Sequence, residues 1–485
     1  MESVTGISAV TISEISESLS DAEWLRAWSM HSHRSRAQEA VAKRTMDRIA
    51  AVGQGLDLAN ADLSELDLSG FVLRQANFNR TQLHGTNLSN ADMRSASLIC
   101  AGMEKTNLQG ANLEGMYAHA LAAQVCDFRN AIMDDVVDAT GSLFHGCKLS
   151  GAKLRRAVLC GGSFYQCELD NADMSGAVLT GAMFNESYMA AASLKGARLD
   201  QVIFTKCWMG KLDMSGAVGS SVIFHTPTQA DDLSLASASL PLLRLQGVRG
   251  SGINARGLNA SGADIHSCSL NNLAATHADL QQARWIDSSI GNADFTEATF
   301  TEASIVRCSF ETSVFRYVAA EKIHVVESSI PAADMTGFSA RAAFFRDCDL
   351  TAANLDQAYL YRAMLTGDPP RSMSLRKANL RSANLVQAYM ACDLEGANLD
   401  SVTAAYLRLN QSRLRDASAK GIRLFSASMV KTEMTGAAIE GIQGPVFADR
   451  CPGFADALDH ADEKELLNFV RNFQRLMRGS RRSST

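Results

Sequence analysis

The chain has 485 residues, 46% of them apolar, and a formal net charge of -6; its 7 prolines and 34 glycines exclude a collagen-like or proline-rich disordered composition. The balance is -1 over residues 1–55, -6 over 56–443 and +1 over 444–485, which excludes a basic nucleic-acid footprint. No apolar run approaches the roughly 18 residues of a membrane-spanning helix, and the opening MESVTGISAVTISEISESLS lacks the basic start and long apolar stretch of a signal peptide.

Residues 1–19 read as a flexible N-terminus. Over 20–55 the sequence predicts a helical cap. Ser20-Asp21-Ala22-Glu23 has the spacing of a capping box before Trp24, Leu25 and Trp28, and Val41, Met46 and Ile49 offer a second apolar face.

From residue 56 to 443 the period is five. A large apolar residue, the centre, falls at 58, 63, 68 and onward, with a small residue two positions before it and usually Asp, Asn or Ser between. Centres run from Leu58 to Met133, Phe144 to Phe224, Leu235 to Met390 and Leu394 to Ile439. Five fits neither a 3.6-residue helix nor simple strand alternation; it fits a coil that turns a corner every five residues, with the small and central residues both inward. Phe144, Phe164, Phe184, Phe204 and Phe224 are spaced by twenty, as are Phe295 and Phe315. Four repeats per turn would stack these rings in columns at the strand spacing of about 4.8 Å. About 75 repeats then make about 19 turns, roughly 90 Å of solenoid. Where the centre shrinks, its partner swells: Met116 precedes Ala118, Val248 precedes Gly250 and Phe338 precedes Ala340. Such exchange predicts a filled core with no internal ligand cavity.

Three stretches interrupt the pattern, near 134–143, 225–234 and 366–374. Their sequences predict bulges that leave the ladder. The second and third supply candidate partner-binding loops: His225, Thr226, Pro227, Asp231 and Asp232, then Asp368, Pro369, Pro370 and Arg371. Residues 444–485 form a C-terminal segment with an amphipathic helix predicted at about 459–478. Leu466, Phe469, Val470, Phe473, Leu476 and Met477 make its apolar stripe, with acidic residues leading and arginines trailing. It either caps the last coil or forms a dimer interface.

No catalytic, cofactor or metal motif appears. Eight of eleven cysteines, from Cys126 to Cys392, hold the small position and read as buried alanine substitutes; there is no CxxC pair, which fits a cytoplasmic chain with reduced thiols. His84, His119, His145, His225, His266, His277 and His324 all fall on outward slots. Asp62, Asp92, Asp173, Asp264, Asp279, Asp294, Asp334 and Asp393 recur before the centre and read as turn hydrogen-bonders rather than acids or bases.

Triplets such as Ala61-Asp62-Leu63, Ala111-Asn112-Leu113, Ala353-Asn354-Leu355 and Ala397-Asn398-Leu399 resemble the A(D/N)LXX pattern of the pentapeptide-repeat family. The resemblance covers 56–443. It implies an all-β solenoid, a right-handed quadrilateral β-helix. It also implies a distant likeness to bacterial members that act as DNA mimics, bind gyrase-type topoisomerases and confer antibiotic resistance or protection, and that can pair through their C-terminal ends. Three functional readings follow: a non-enzymatic scaffold for a gyrase or type II topoisomerase; an interaction solenoid serving as effector, assembly factor or biosynthetic accessory; and an enzyme working in a surface groove. The first two require a protein partner and neither direct nucleic-acid contact, a membrane nor a cofactor. Arg155, Arg156, Arg376, Lys377 and Arg381 interrupt the acidic rows.

Overall fold

The computed structural model describes residues 55–225, 228–368, 373–440 and 446–454. It is an all-β parallel solenoid in two compact units, divided after Ser234. The predicted N-terminal cap up to residue 54, the helix at 459–478 with Leu466, Phe469, Val470, Phe473, Leu476 and Met477, and Thr226, Pro227, Pro369, Pro370 and Arg371 lie outside the described residues.

In unit 1 each five-residue repeat makes a short bridge and then a corner. Leu58 N donates to Asn77 O at 2.8 Å and Asn77 N donates to Leu56 O at 2.7 Å, so residues twenty apart pair from coil to coil. That offset makes four repeats per turn. The two inward residues of Ala61-Asp62-Leu63 are fully buried and the middle one is exposed. At ordinary corners the small residue's N–H closes on the preceding centre, as from Ala61 to Leu58 O at 3.1 Å. The second residue after the centre takes a left-handed conformation even when it is not glycine, as at Asn60, Asn90 and Asn130. Asn, Asp and Gly tolerate this geometry best. At Gly219 glycine is required for another reason: a Cβ there would lie 2.5 Å from the Leu199 carbonyl carbon.

One face of unit 1 carries three-residue strands: β1 Gly102–Glu104, β2 Ala122–Gln124, β3 Leu143–His145, β4 Ser163–Tyr165, β5 Met183–Asn185, β6 Ile203–Thr205 and β7 Ile223–His225. Their centres include the predicted phenylalanine column. Phe144, Phe164, Phe184, Phe204 and Phe224 stack at 4.7–5.1 Å with interplanar angles of 2–22°. The rings are buried, so the column both fills the core and aligns the coils.

Unit 2 repeats the plan. One face carries β8 Arg244–Gln246, and the next carries β9 Arg249–Ser251. Alternating between these faces follow β10 Asp264–His266, β11 Ser269–Asn271, β12 Arg284–Ile286, β13 Ser289–Gly291, β14 Ser304–Val306 and β15 Ser309–Glu311. The first face continues through β16 His324–Val326, β17 Phe344–Arg346 and β18 Met364–Thr366. Phe295 and Phe315 stack at 5.1 Å as the spacing predicts. Val248, Leu273, Phe338 and Val402 are buried beside their shrunken centres, which bears out the volume exchange.

The interruptions differ from expectation. At 134–143 the ladder is kept: Asp138 pairs with Tyr117 and a single extra residue, Val137, is pushed outward to 47% exposure. One residue can be absorbed as a bulge because Val136 and Ala139 still bury their side chains. At 225–234 the ladder resumes at once. Gln229 pairs with Trp208, Ser234 pairs with Asp213, and Asp231 and Asp232 occupy an ordinary corner rather than a projecting loop. The third stretch does leave the ladder. Phe344 pairs with Met364 twenty residues on, whereas Met364 pairs with Tyr389 twenty-five on. Five extra residues equal one repeat, so the periodicity runs on unbroken through this insertion. The shortened join after Met390 gives offsets of nineteen, as from Asn379 to Asn398.

Candidate functional site: an open corner and its groove

The corner after β1–β7, and its counterpart after β8–β18, is built differently from the others. Among the described residues its centre carbonyl does not receive the usual turn bond. A thiol or hydroxyl from the small position one coil on takes over. Cys167 Sγ donates to Phe144 O at 3.3 Å, and Cys207 Sγ donates to Phe184 O at 3.4 Å. Ser187 Oγ accepts from Cys167 N at 3.1 Å and donates to Phe164 O at 3.1 Å. In unit 2 Cys268 Sγ and Cys348 Sγ donate to Leu245 O and Val325 O, each at 3.4 Å, while Ser288 Oγ and Ser328 Oγ accept from Cys268 N and Cys308 N, each at 3.1 Å, and donate to Ile286 O and Val326 O. The cysteines are therefore more than alanine substitutes; they satisfy backbone groups that a methyl could not. Burial pushes the thiols of Cys207, Cys268, Cys308 and Cys348 up to about 11, which keeps them protonated and unreactive.

Opening the corner in unit 2 creates a shallow groove of about 600 Å³. Its walls carry Asp287, Arg307, Glu327, Asp347 and Asp349 beside the outward serines Ser289, Ser309 and Ser329. Arg307 Nε donates to Asp287 at 2.6 Å and holds that carboxyl below its ordinary value. Asp349 accepts from Thr351 N at 2.9 Å. Asp347 is largely buried, 3.6 Å from Arg346, and accepts from the backbone N–H of Asp368 at 2.7 Å. Asp368 is the one described member of the Asp368–Arg371 candidate loop, so the root of the five-residue insertion is tied to the groove wall. His225, at the end of β7, and Asp231 and Asp232 belong to unit 1 and are not among the residues lining this groove.

Sequence reasoning missed the groove. Its signal is a twenty-residue alternation of buried thiol and hydroxyl: Cys268, Ser288, Cys308, Ser328, Cys348. A second exposed feature was also missed. Tyr188 and Trp208, in unit 1, stack outward at 4.6 Å while 46% and 42% exposed.

The carboxylates before the centres do what the sequence predicts. Asp62, Asp173, Asp279, Asp294, Asp334 and Asp393 accept from the backbone N–H two residues on at 3.0–3.2 Å. Many carboxylates are also neutralised by arginines: Asp92 by Arg74 and Arg94, Asp134 by Arg155, Asp135 by Arg156. Among the described residues no cluster of His, Cys, Asp or Glu has metal-site geometry, and no helix is long and apolar enough to cross a membrane.

A four-sided parallel β-solenoid with a side-chain-lined corner and an inward Ala/Leu pair per repeat defines a pentapeptide-repeat architecture. The family model for pentapeptide repeats matches in eight copies, over residues 57–94, 76–115, 140–176, 167–205, 276–311 and 332–367, and the chain belongs to that family. No curated protein sequence matches it. Among solved structures it is similar to HetL, a pentapeptide-repeat protein involved in heterocyst differentiation regulation from the cyanobacterium Nostoc sp. strain PCC 7120. The identity is 19%, covering 56% of this chain and 94% of that one, with a TM-score of 0.19. Full-length QnrB1, a plasmid-mediated fluoroquinolone resistance protein, is 13% identical over 58% of this chain and 99% of its own, with a TM-score of 0.18. The tailspike protein of E. coli bacteriophage HK620 is 8% identical over 90% and 79%, with a TM-score of 0.18.

Proposed function

We propose that the chain is a non-enzymatic protein-binding scaffold whose partner is a DNA-handling enzyme of the gyrase or type II topoisomerase class. The observation that carries this reading is the open-corner groove: four carboxylates and one arginine on a fixed β framework, with the Asp368 insertion rooted at its wall. Enzymes that grip duplex DNA present cationic surfaces matched to phosphate, and an acidic groove complements them. The groove's carboxylates are themselves engaged, Asp287 by Arg307, Asp347 beside Arg346 and Asp349 in its turn, so the acidity it offers a partner is the surplus of four carboxylates over one lining arginine. The Arg307 guanidinium holds the Asp287 carboxyl below its ordinary value, which disfavours a general-acid role for that residue. Resistance or protection of the partner is the expected consequence. The exposed Tyr188–Trp208 pair supports the second reading, an uncharged interaction site for an effector, assembly or biosynthetic partner.

The experiment titrates purified chain into a gyrase supercoiling reaction, with and without a poison. Inhibition or protection at stoichiometric concentration, weakened by Glu327→Lys and by added salt, is expected. No effect on supercoiling together with no association in sedimentation overturns the topoisomerase reading.

A further inference from the structure

Two outward ladders border the open-corner groove of unit 2. On one side Ile286, Val306 and Val326, the last residues of β12, β14 and β16, stand in register on successive levels and are half-buried. On the other side Ser289 pairs with Ser309, and Ser309 pairs with Ser329. Between the ladders run the corner residues Asp287, Arg307 and Glu327, each in a left-handed conformation. The next level ends the strip with charge: Val326 pairs with Arg346, and Ser329 pairs with Asp349. The groove is therefore bordered by an aliphatic ladder and a ladder of small hydroxyls, and it carries four carboxylates against one lining arginine.

The repeat distance of these ladders selects the shape of an occupant. Three levels cover about 9.6 Å at the strand spacing of about 4.8 Å. Two turns of an α-helix cover about 10.8 Å, so three side chains on one helix face meet three levels within about 1 Å. In an extended strand three side chains on one face cover about 13 Å, a misfit of about 4 Å. A polyproline helix returns to the same side only after about 9.3 Å and leaves the middle level bare. The serines supply clearance, because the side chains at a contact set how closely a helix axis approaches. Charge selects the composition: a surplus of carboxylates favours lysine and arginine on the occupant. Covering the aliphatic ladder removes apolar area from water.

We propose that the groove receives a basic amphipathic helix of the partner, laid along the solenoid axis. Its apolar residues rest on Ile286, Val306 and Val326, its backbone passes over the serines, and its lysines or arginines lie beside Glu327, Asp347 and Asp349. This rests on the reading of the groove as a protein-binding surface, not on the partner's being a topoisomerase.

Fluorescence anisotropy with the full chain and labelled synthetic peptides at physiological salt tests this. The probe is a Leu/Lys/Ala peptide of about five turns, roughly 18 residues, with leucines at helical spacing and lysines flanking them. Its control has the same composition with leucine and lysine alternating as in a strand. The helix-patterned peptide is expected to bind at least tenfold more tightly than the control. Val306→Ser, Val326→Ser and Glu327→Lys each weaken it several-fold, Tyr188→Ser in unit 1 leaves it unchanged, and circular dichroism shows that the variants stay folded. Equal binding of the two peptides, or none, overturns the proposal. So does an affinity that responds to Glu327→Lys but to neither valine change, since the site is then charge attraction alone. A gyrase reaction indifferent to the chain, beside valine-dependent peptide binding, removes the topoisomerase reading and leaves the helix; an affected gyrase reaction with no preference between the peptides removes the helix alone.

Discussion

The two units solve one packing problem in two ways. In unit 1 the centre of each strand β3–β7 is phenylalanine, and each ring meets a near-parallel copy of itself. In unit 2 the corresponding strand face of β12–β18 runs Trp285, Ile305, Val325, Phe345, Leu365. Around it Trp285 meets Phe295 edge-on at 6.0 Å and 86°, and Phe295 meets Phe300 at 5.3 Å and 76°, while Phe295 and Phe315 keep the stacked arrangement. The mixed column leaves the buried Trp285 indole N–H without an acceptor. It also leaves an apolar void of about 10 Å³ bordered by Phe300, Ile305, Phe315 and Val325. A uniform column propagates one solution; a mixed column must be fitted locally and pays with an orphaned donor. The void is too small and apolar for a ligand, in keeping with a filled core.

The largest expected effect breaks the uniform column. Phe184→Ala removes contacts with both Phe164 and Phe204, and the backbone ladder prevents collapse around the gap. A loss of about 3–5 kcal/mol is expected, read as faster hydrogen exchange in β4–β6. Exchange is the suitable probe because repeat arrays lose stability locally. Next comes the open corner. Ser187→Ala orphans both Cys167 N–H and Phe164 O and should cost about 1–3 kcal/mol. Ser288→Ala in unit 2 orphans Cys268 N–H and should cost about 1–3 kcal/mol as well, measured by denaturant titration. Trp285→Phe removes the unpartnered N–H but also some volume, so stability should change by less than about 1 kcal/mol. A large loss would show that the indole has an acceptor.

The smallest effect concerns acid. Hydrogen bonds from Arg94, and then Arg74, lower the Asp92 carboxyl from 3.8 to about 2. Its folded value lies below the unfolded one, so its contribution is present above about pH 4 and fades as pH falls toward 2. Asp92→Asn should therefore destabilise unit 1 slightly at pH 7 and flatten the acid limb between pH 4 and 2. An unchanged acid limb would assign the bond no energetic role.

Much of this was legible in the sequence. The twenty-residue phenylalanine spacing gave the four-repeat turn, and the paired sizes at positions such as Phe338 and Ala340 gave the filled core. Side-chain volume alone carries both signals. The interruptions were less legible. Proline, glycine and frame shifts announce an irregularity, but Val137 could be squeezed outward singly while Val136 and Ala139 stayed in the core. The insertion after Asp368 has the length of one repeat and hides in the periodicity. The groove was invisible because it depends on which backbone hydrogen bond a corner makes. Apolar patterning does not encode that choice; the Cys/Ser alternation does, once its register is known.

The central claim is that the open-corner groove of unit 2 is the binding surface. The most direct test is hydrogen exchange of the chain alone and in complex with a type II topoisomerase. Protection confined to residues 284–311, 324–329 and 344–351, with the outer faces of β1–β7 unchanged, is the predicted result. A complex that leaves those residues unprotected and covers Tyr188 and Trp208 instead would contradict it.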